Sequence, residues 1–192
     1  MSYANCFVLP DLYCDGCPES EAGKIRSVAF TAKAVTGLSS FDPTSTQDWY
    51  DVLCNNYGRV LNDVKGSYDG STAVEGPGYG SQSVRLIGRN HQVTYTHLLD
   101  CRNIDFYNEV AKSSQFEFWY RSETKLYRST NAAMVFAASP ILEDMNTEVE
   151  FNVTVKWAEK NLPICYDLPT SIFDSCEALA YLENCLSCNP IN

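Results

Sequence analysis

Nine of the 192 residues are cysteines, and their spacing makes them the first candidates for chemistry. Two Cys-x-x-Cys pairs lie near opposite ends of the chain: Cys14 with Cys17, and Cys185 with Cys188. Two thiolates at this spacing can bind one tetrahedral Zn²⁺, at sulfur–metal distances of about 2.3 Å. Because the ends of a domain often lie close together, the two pairs could meet. The pattern therefore predicts a structural zinc site formed by these four cysteines.

Two other states of the cysteines are alternatives to zinc. Zinc ribbons usually separate their two pairs by roughly 15–20 residues, whereas most of this chain lies between Cys17 and Cys185. The cysteines could instead form disulfides after release from a reducing cell, or stay as small buried thiols. We expect Cys54 and Cys101, which lie away from the two ends, to be core residues.

The remaining candidates for catalysis are two histidines and a group of acidic residues. His91 and His97 lie six residues apart on a predicted strand, which places them about 20 Å from each other, too far to share a metal or act as an acid–base pair. We expect His97 to be a surface residue. Paired carboxylates can bind a cation or cleave glycosidic bonds, but a solvated strand face explains this group better. The acidic residues concerned are Glu143, Asp144, Glu148 and Glu150.

The chain also lacks the short signatures of familiar enzymes. It contains no G-x-S-x-G, H-E-x-x-H or kinase motif. Three glycines in residues 71–83 alternate with other residues, but the segment lacks the Lys-Ser/Thr ending of a phosphate-binding loop. We predict a hairpin loop for 71–83, and we predict that the protein is not an enzyme.

Alternating apolar and polar residues predict a mainly β fold. The clearest strand covers 147–159, where Val149 and every second residue up to Trp157 share one face. A first strand is predicted over 24–34, and two strands over 83–99 that meet near Gly88. Short helices are predicted after caps at Thr46 and Asn103.

Composition shifts divide the chain into three predicted parts. Residues 1–22 form an irregular cysteine-containing arm, 23–163 a β-rich domain, and 164–192 a short helical, cysteine-rich appendage. Strands with aromatic residues on both faces, such as 116–120, would suit pairing between subunits.

The charge balance argues against a nucleic-acid-binding protein. With 14 Lys and Arg against 24 Asp and Glu, the formal net charge is −10. Tight binding to a phosphate backbone depends on basic side chains, which are in the minority here. No segment approaches the ~18 consecutive apolar residues of a membrane helix. The N-terminal segment lacks a basic region of the secretory type, so we expect folding in the cytoplasm and no membrane partner.

The order of these elements resembles the tail-tube proteins of tailed bacteriophages. The resemblance covers 23–163. The segments that carry it are GKIRSVAFTAKA (23–34), YGSQSVRLIGRNHQVTYTHLL (79–99) and ILEDMNTEVEFNVTVKWAEKNLP (141–163). It implies a β-sandwich or barrel flanked by one helix, with strands paired between neighbouring subunits.

The resemblance also implies a function. The chain would be a virion structural protein that forms homo-oligomers, typically hexameric rings, and contacts other tail proteins. DNA would pass through an acidic channel without specific binding, and the protein would be located in the virion tail after assembly in the host cytoplasm. A head–tail connector or stopper, or a capsid accessory protein, shares most of these features. From other classes, a zinc-stabilised intracellular binding module and a glycan-binding or glycan-cleaving protein are alternatives.

Overall fold

The computed structural model describes residues 24–62, 64–80, 83–98, 102–112, 115–129, 134–141, 150–169 and 172–173. Two antiparallel sheets form the body. The described strands are β1 (Lys24–Ile25), β2 (Ser27–Ala32), β3 (Gly58–Leu61), β4 (Lys65–Pro77), β5 (Val84–Leu98), β6 (Phe116–Arg121), β7 (Lys125–Arg128), β8 (Met134–Ile141), β9 (Glu150–Glu159) and β10 (Ile164–Asp167). The described helices are α1 (Lys33–Thr36), α2 (Thr46–Cys54) and α3 (Arg102–Lys112).

Each sheet contains five of these strands. Sheet 1 has the order β1-β4-β5-β9-β8, and sheet 2 has the order β10-β7-β6-β2-β3. The chain passes from one sheet to the other at Arg26, between β1 and β2, and again between β3 and β4. At this corner the Arg26 amide donates to the Arg121 carbonyl at 3.1 Å, and the Val64 amide donates to the Arg26 carbonyl at 3.1 Å. The two sheets are therefore joined along one side and curl into a half-barrel.

The main core lies between the two sheets. The alternation predicted for the last long strand is confirmed, because Phe151, Val153, Val155 and Trp157 of β9 are all buried. They pack against Phe30 of β2, and Tyr107 and Val110 of α3 belong to the same cluster. The core thus uses the period-two pattern of the strands and one face of α3.

Sheet 2 is covered on both faces, so most residues of β2 and β6 are buried. Its outer face holds Trp119, whose ring packs edge-to-face against Trp49 of α2 at 5.2 Å. Phe173 contacts the same Trp49 ring at 5.1 Å. Since β6 pairs with β2 on one side and β7 on the other, the expectation that 116–120 is available for pairing between subunits is wrong.

The helix predicted after Thr46 exists, but its cap lies one residue earlier. The side chain of Ser45 accepts a hydrogen bond from the Asp48 amide, and Thr46 is the first helical residue. The resemblance implied one flanking helix, whereas both α2 and α3 pack on the sheets. The described helices include none that is long and apolar enough to cross a membrane.

The hairpin loop predicted over 71–83 is shorter than expected, because residues 71–77 continue β4 and only 78–80 and 83 of its described residues lie outside the strands. The prediction of two strands over 83–99 is wrong, since β5 is one strand over Val84–Leu98. Gly88 does not break β5, because it pairs with Val74 beside a local irregularity in the register.

The packed body extends past residue 163. Strand β10 pairs with β7, and Ile172 and Phe173 are buried on the outer face of sheet 2. Residues 164–169 and 172–173 thus belong to the β-rich body, whereas the remainder of the predicted helical appendage, and the arm 1–22, lie outside the described residues.

Candidate assembly surface

The predicted zinc site cannot be placed, because Cys14, Cys17, Cys185 and Cys188 lie outside the described residues. In the described part of the chain, no group of three or more His, Cys, Asp or Glu side chains could hold a metal. Cys54, at the end of α2, is half-buried and disulfide-bonded. The expectation that Cys54 is a core residue is met only in part, because its side chain is half-buried, and Cys101 lies outside the described residues.

Both histidines face the core, so the prediction of a surface position for His97 is wrong. His91 is 1% exposed, and its Nδ1 lies 2.7 Å from the Tyr68 hydroxyl. His97 Nε2 hydrogen-bonds the Tyr107 hydroxyl. Burial lowers the pKa of His91 and raises the pKa of Tyr107 to about 12. Both histidine rings are therefore held in the core by a tyrosine hydroxyl.

The acidic group is only partly described. Glu150 lies on β9 with its half-buried carboxylate 3.4 Å from Nζ of the exposed Lys65. Glu143, Asp144 and Glu148 lie outside the described residues. The one described member therefore forms a surface ion pair, as expected for a solvated strand face.

Sequence reasoning missed a buried ion pair on the outer face of sheet 2. Arg128 Nη2 contacts both carboxylate oxygens of Glu117, at 2.7 and 2.8 Å. The Thr36 hydroxyl donates to Glu117 at 2.8 Å, and Arg128 donates to the Thr36 carbonyl at 2.9 Å. The sequence feature that could have indicated this pair is a glutamate, Glu117, in the middle of the aromatic segment 116–120. The network fixes α1 against the sheet and leaves the carboxylate fully occupied.

The most prominent surface element is the end of the β4–β5 hairpin, which we call the ribbon (residues 74–88). Strand β9 pairs with β5 only from Arg89 onwards, and β1 pairs with β4 only at Gly66 and Ser67. Beyond these points β4 and β5 pair only with each other among the described strands, from Val74 with Gly88 to Pro77 with Val84. The ribbon is thus two strands wide and extends past the end of β9.

The ribbon carries apolar side chains that the described body does not cover. The exposed fractions range from 43% for Leu86 and 47% for Val84 to 49% for Ile87 and 77% for Tyr79. Ile87 packs over Gly76, where an added Cβ would lie 2.8 Å from Ile87 Cγ2. Adjacent apolar residues at this exposure make the ribbon a candidate interaction site.

A second apolar feature is a cavity lined by residues of both sheets, which we call the aromatic pocket. Its volume is about 440 Å³. Tyr120 and Tyr127 stack at 5.1 Å inside it, and burial raises the pKa of Tyr120. Leu162 is 59% exposed at the opening. The lining residues are Ile25, Tyr68, Tyr120, Ser122, Tyr127, Leu162 and Pro163.

Comparison of the chain with protein-family models, curated proteins and solved structures finds no match.

Proposed function

We propose that this chain is a virion structural protein, a subunit of a phage tail tube or tail-associated ring that forms a conduit for DNA. The proposal starts from the sequence resemblance over 23–163. A mainly β body of two joined sheets is compatible with the sandwich or barrel that the resemblance implies.

The observation that carries the proposal is the ribbon. A two-stranded hairpin that stands alone is at best marginally stable in water, and exposed strand edges invite pairing with another chain. Here the ribbon also exposes Val84, Leu86 and Ile87. A subunit that repeats around a ring would cover such an element in every copy, whereas a monomer would leave it in water.

The charge of the chain supports passage of DNA without adhesion, since like charges repel. All 14 Lys and Arg residues fall among the described residues, together with only 12 of the 24 Asp and Glu residues. The other acidic residues belong to 1–23, 142–149 and 174–192 and to positions 63 and 100. The acidic channel that the resemblance implies would therefore need these segments.

Negative-stain electron microscopy, with light-scattering mass on the same sample, tests the proposal. We expect rings or stacked tubes with a mass of six subunits per ring and a narrow central channel. Stacked tubes would identify the tube subunit, and single rings a tail-associated ring. A uniform monomer at high concentration would contradict the proposal.

A further inference from the structure

We propose that the ribbon of one copy inserts its apolar residues into the aromatic pocket of a neighbouring copy. The inference rests on the proposed function and specifies the contact that joins subunits. The occupant of the pocket is thus a second copy of this chain.

The ribbon has one face suited to this contact. Cross-strand partners point to the same side of a sheet, so the pairs Pro77 with Val84 and Glu75 with Leu86 share one face. The opposite face is partly covered by the ribbon itself, because Ile87 packs over Gly76 and the Arg85 guanidinium lies 4.9 Å from the centre of the Tyr79 ring. Val84 and Leu86 form an exposed aliphatic pair on the first face, whereas Ile87, which is 49% exposed, lies at the irregularity in the β4–β5 register.

The aromatic pocket has the matching chemistry. None of its described lining residues carries a charge, and Leu162 extends the apolar surface at the opening. Aromatic rings that flank an apolar cavity bury aliphatic side chains at low entropic cost, because the rings are already held in place. Here stacking holds Tyr120 between Tyr68 at 5.7 Å and Tyr127 at 5.1 Å.

In the structure the ribbon does not fill the pocket of its own chain. No described residue of the ribbon lines the pocket, and Val84 and Leu86 are 47% and 43% exposed. A contact between two different surfaces is head-to-tail, and such contacts close into rings or continue as filaments.

An uncharged contact also suits a chain with a net charge of −10. Copies of such a chain repel each other, and a charged contact surface of one sign would add to that repulsion. The ribbon contains one acidic and one basic residue, Glu75 and Arg85, so it is neutral overall.

Two variants that damage opposite halves of the contact provide the test. Leu86→Glu damages the ribbon and keeps the pocket, whereas Leu162→Glu damages the pocket and keeps the ribbon. Both residues are exposed, so both variants should fold, which circular dichroism and thermal melting would check. Each variant alone is expected to be monomeric. Their equimolar mixture is expected to give dimers of twice the monomer mass, because it contains one intact ribbon–pocket pair.

Light-scattering mass at a concentration at which the native chain assembles fully gives the readout. Leu38→Glu, at a position that is 58% exposed and distant in sequence from both features, is the matched control and should assemble like the native chain. If the native chain assembles but the mixture stays monomeric, or if either variant assembles alone, the ribbon–pocket contact is wrong while the proposed function stands. If the native chain is itself monomeric, both are wrong.

Discussion

At the scale of single residues, Glu117–Arg128 is the described ion pair whose disruption should lower the stability of the fold most. The side-chain exposures are 2% for Glu117 and 16% for Arg128. Removing one partner of a buried pair leaves the other without compensation. We expect Glu117→Ala to lower the free energy of unfolding by about 3 kcal/mol, measured by urea denaturation.

The exposed pair Arg26–Glu123, at 3.4 Å, supplies the control for this measurement. Glu123→Ala should cost less than about 1 kcal/mol, because solvent screens an exposed pair. Replacing both Glu117 and Arg128 by apolar residues should recover much of the loss from the single change. Equal losses for Glu117→Ala and Glu123→Ala would show that burial of the first pair is unimportant.

His91 predicts a pH dependence of stability. Burial lowers its pKa below the ordinary value of 6.5, with opposing effects from Glu159 and the Asn161 backbone and a small further lowering from Arg89. The unfolded chain therefore binds a proton at a higher pH than the folded chain. Stability contributed by the neutral ring is complete above about pH 6.5 and falls as the pH drops, by at most about 1.4 kcal/mol per pH unit, until the folded pKa is reached.

Comparison with His91→Phe isolates this effect. Phenylalanine can keep the stacking that His91 makes with Trp157 at 5.2 Å, but it does not titrate. We expect the free energy of unfolding of the variant to fall less steeply than that of the native chain between pH 7 and pH 5, in urea denaturation at several pH values. Parallel curves would mean that His91 has the same pKa in both states.

At the scale of elements, Phe173 tests how far the packed body extends. Its carbonyl accepts hydrogen bonds from Arg121 Nη1 at 2.7 Å and Ser27 Oγ at 3.1 Å, and its ring is buried against Trp49. Phe173→Ala should lower the free energy of unfolding by about 3 kcal/mol, because truncating a buried aromatic ring leaves a cavity. Denaturation with a change near zero would instead support an appendage that begins at residue 164.

The elements also show what a sequence can reveal. Strand β9 was predictable because one of its faces is wet, so the apolar and polar residues alternate. The central position of β6 in sheet 2 could not be predicted from its sequence. Burial of its outer face depends on Trp49 and Phe173, which come from distant parts of the chain. The length of β5 was underestimated because glycine is typical of turns, so Gly88 was read as the end of a strand. Only the pairing of Gly88 with Val74 shows that the strand continues.

The candidate surface was less predictable than the fold. The glycines at 76, 78 and 80 indicated a loop, whereas the ribbon results from the lengths of β4 and β5 relative to β9. Alternation within one strand carries no information on where its neighbour stops. The aromatic pocket combines residues from β1, β4, β6 and β7 with Leu162, and such a combination depends on the tertiary fold.

At the scale of the whole molecule, the proposed assembly balances apolar contact against charge repulsion. Each copy has a net charge of −10, while the ribbon is neutral and the described pocket lining is uncharged. Salt screens repulsion between copies, with a Debye length that falls from about 10 Å at 0.1 M to about 3 Å at 1 M. An apolar contact is not weakened by this screening. We therefore expect the assembled fraction to rise over that range of NaCl, measured by light-scattering mass at constant protein concentration.

The Leu86→Glu variant separates this effect from non-specific association. If salt acts by strengthening ribbon–pocket contacts that the native chain already makes, the variant should stay monomeric at both salt concentrations while the native chain assembles further. Assembly that falls with salt would indicate subunits joined by ion pairs. Such a result would mean that the subunits do not join through the uncharged ribbon and pocket. The contact would instead involve segments such as 142–149, which carry the excess acidic residues.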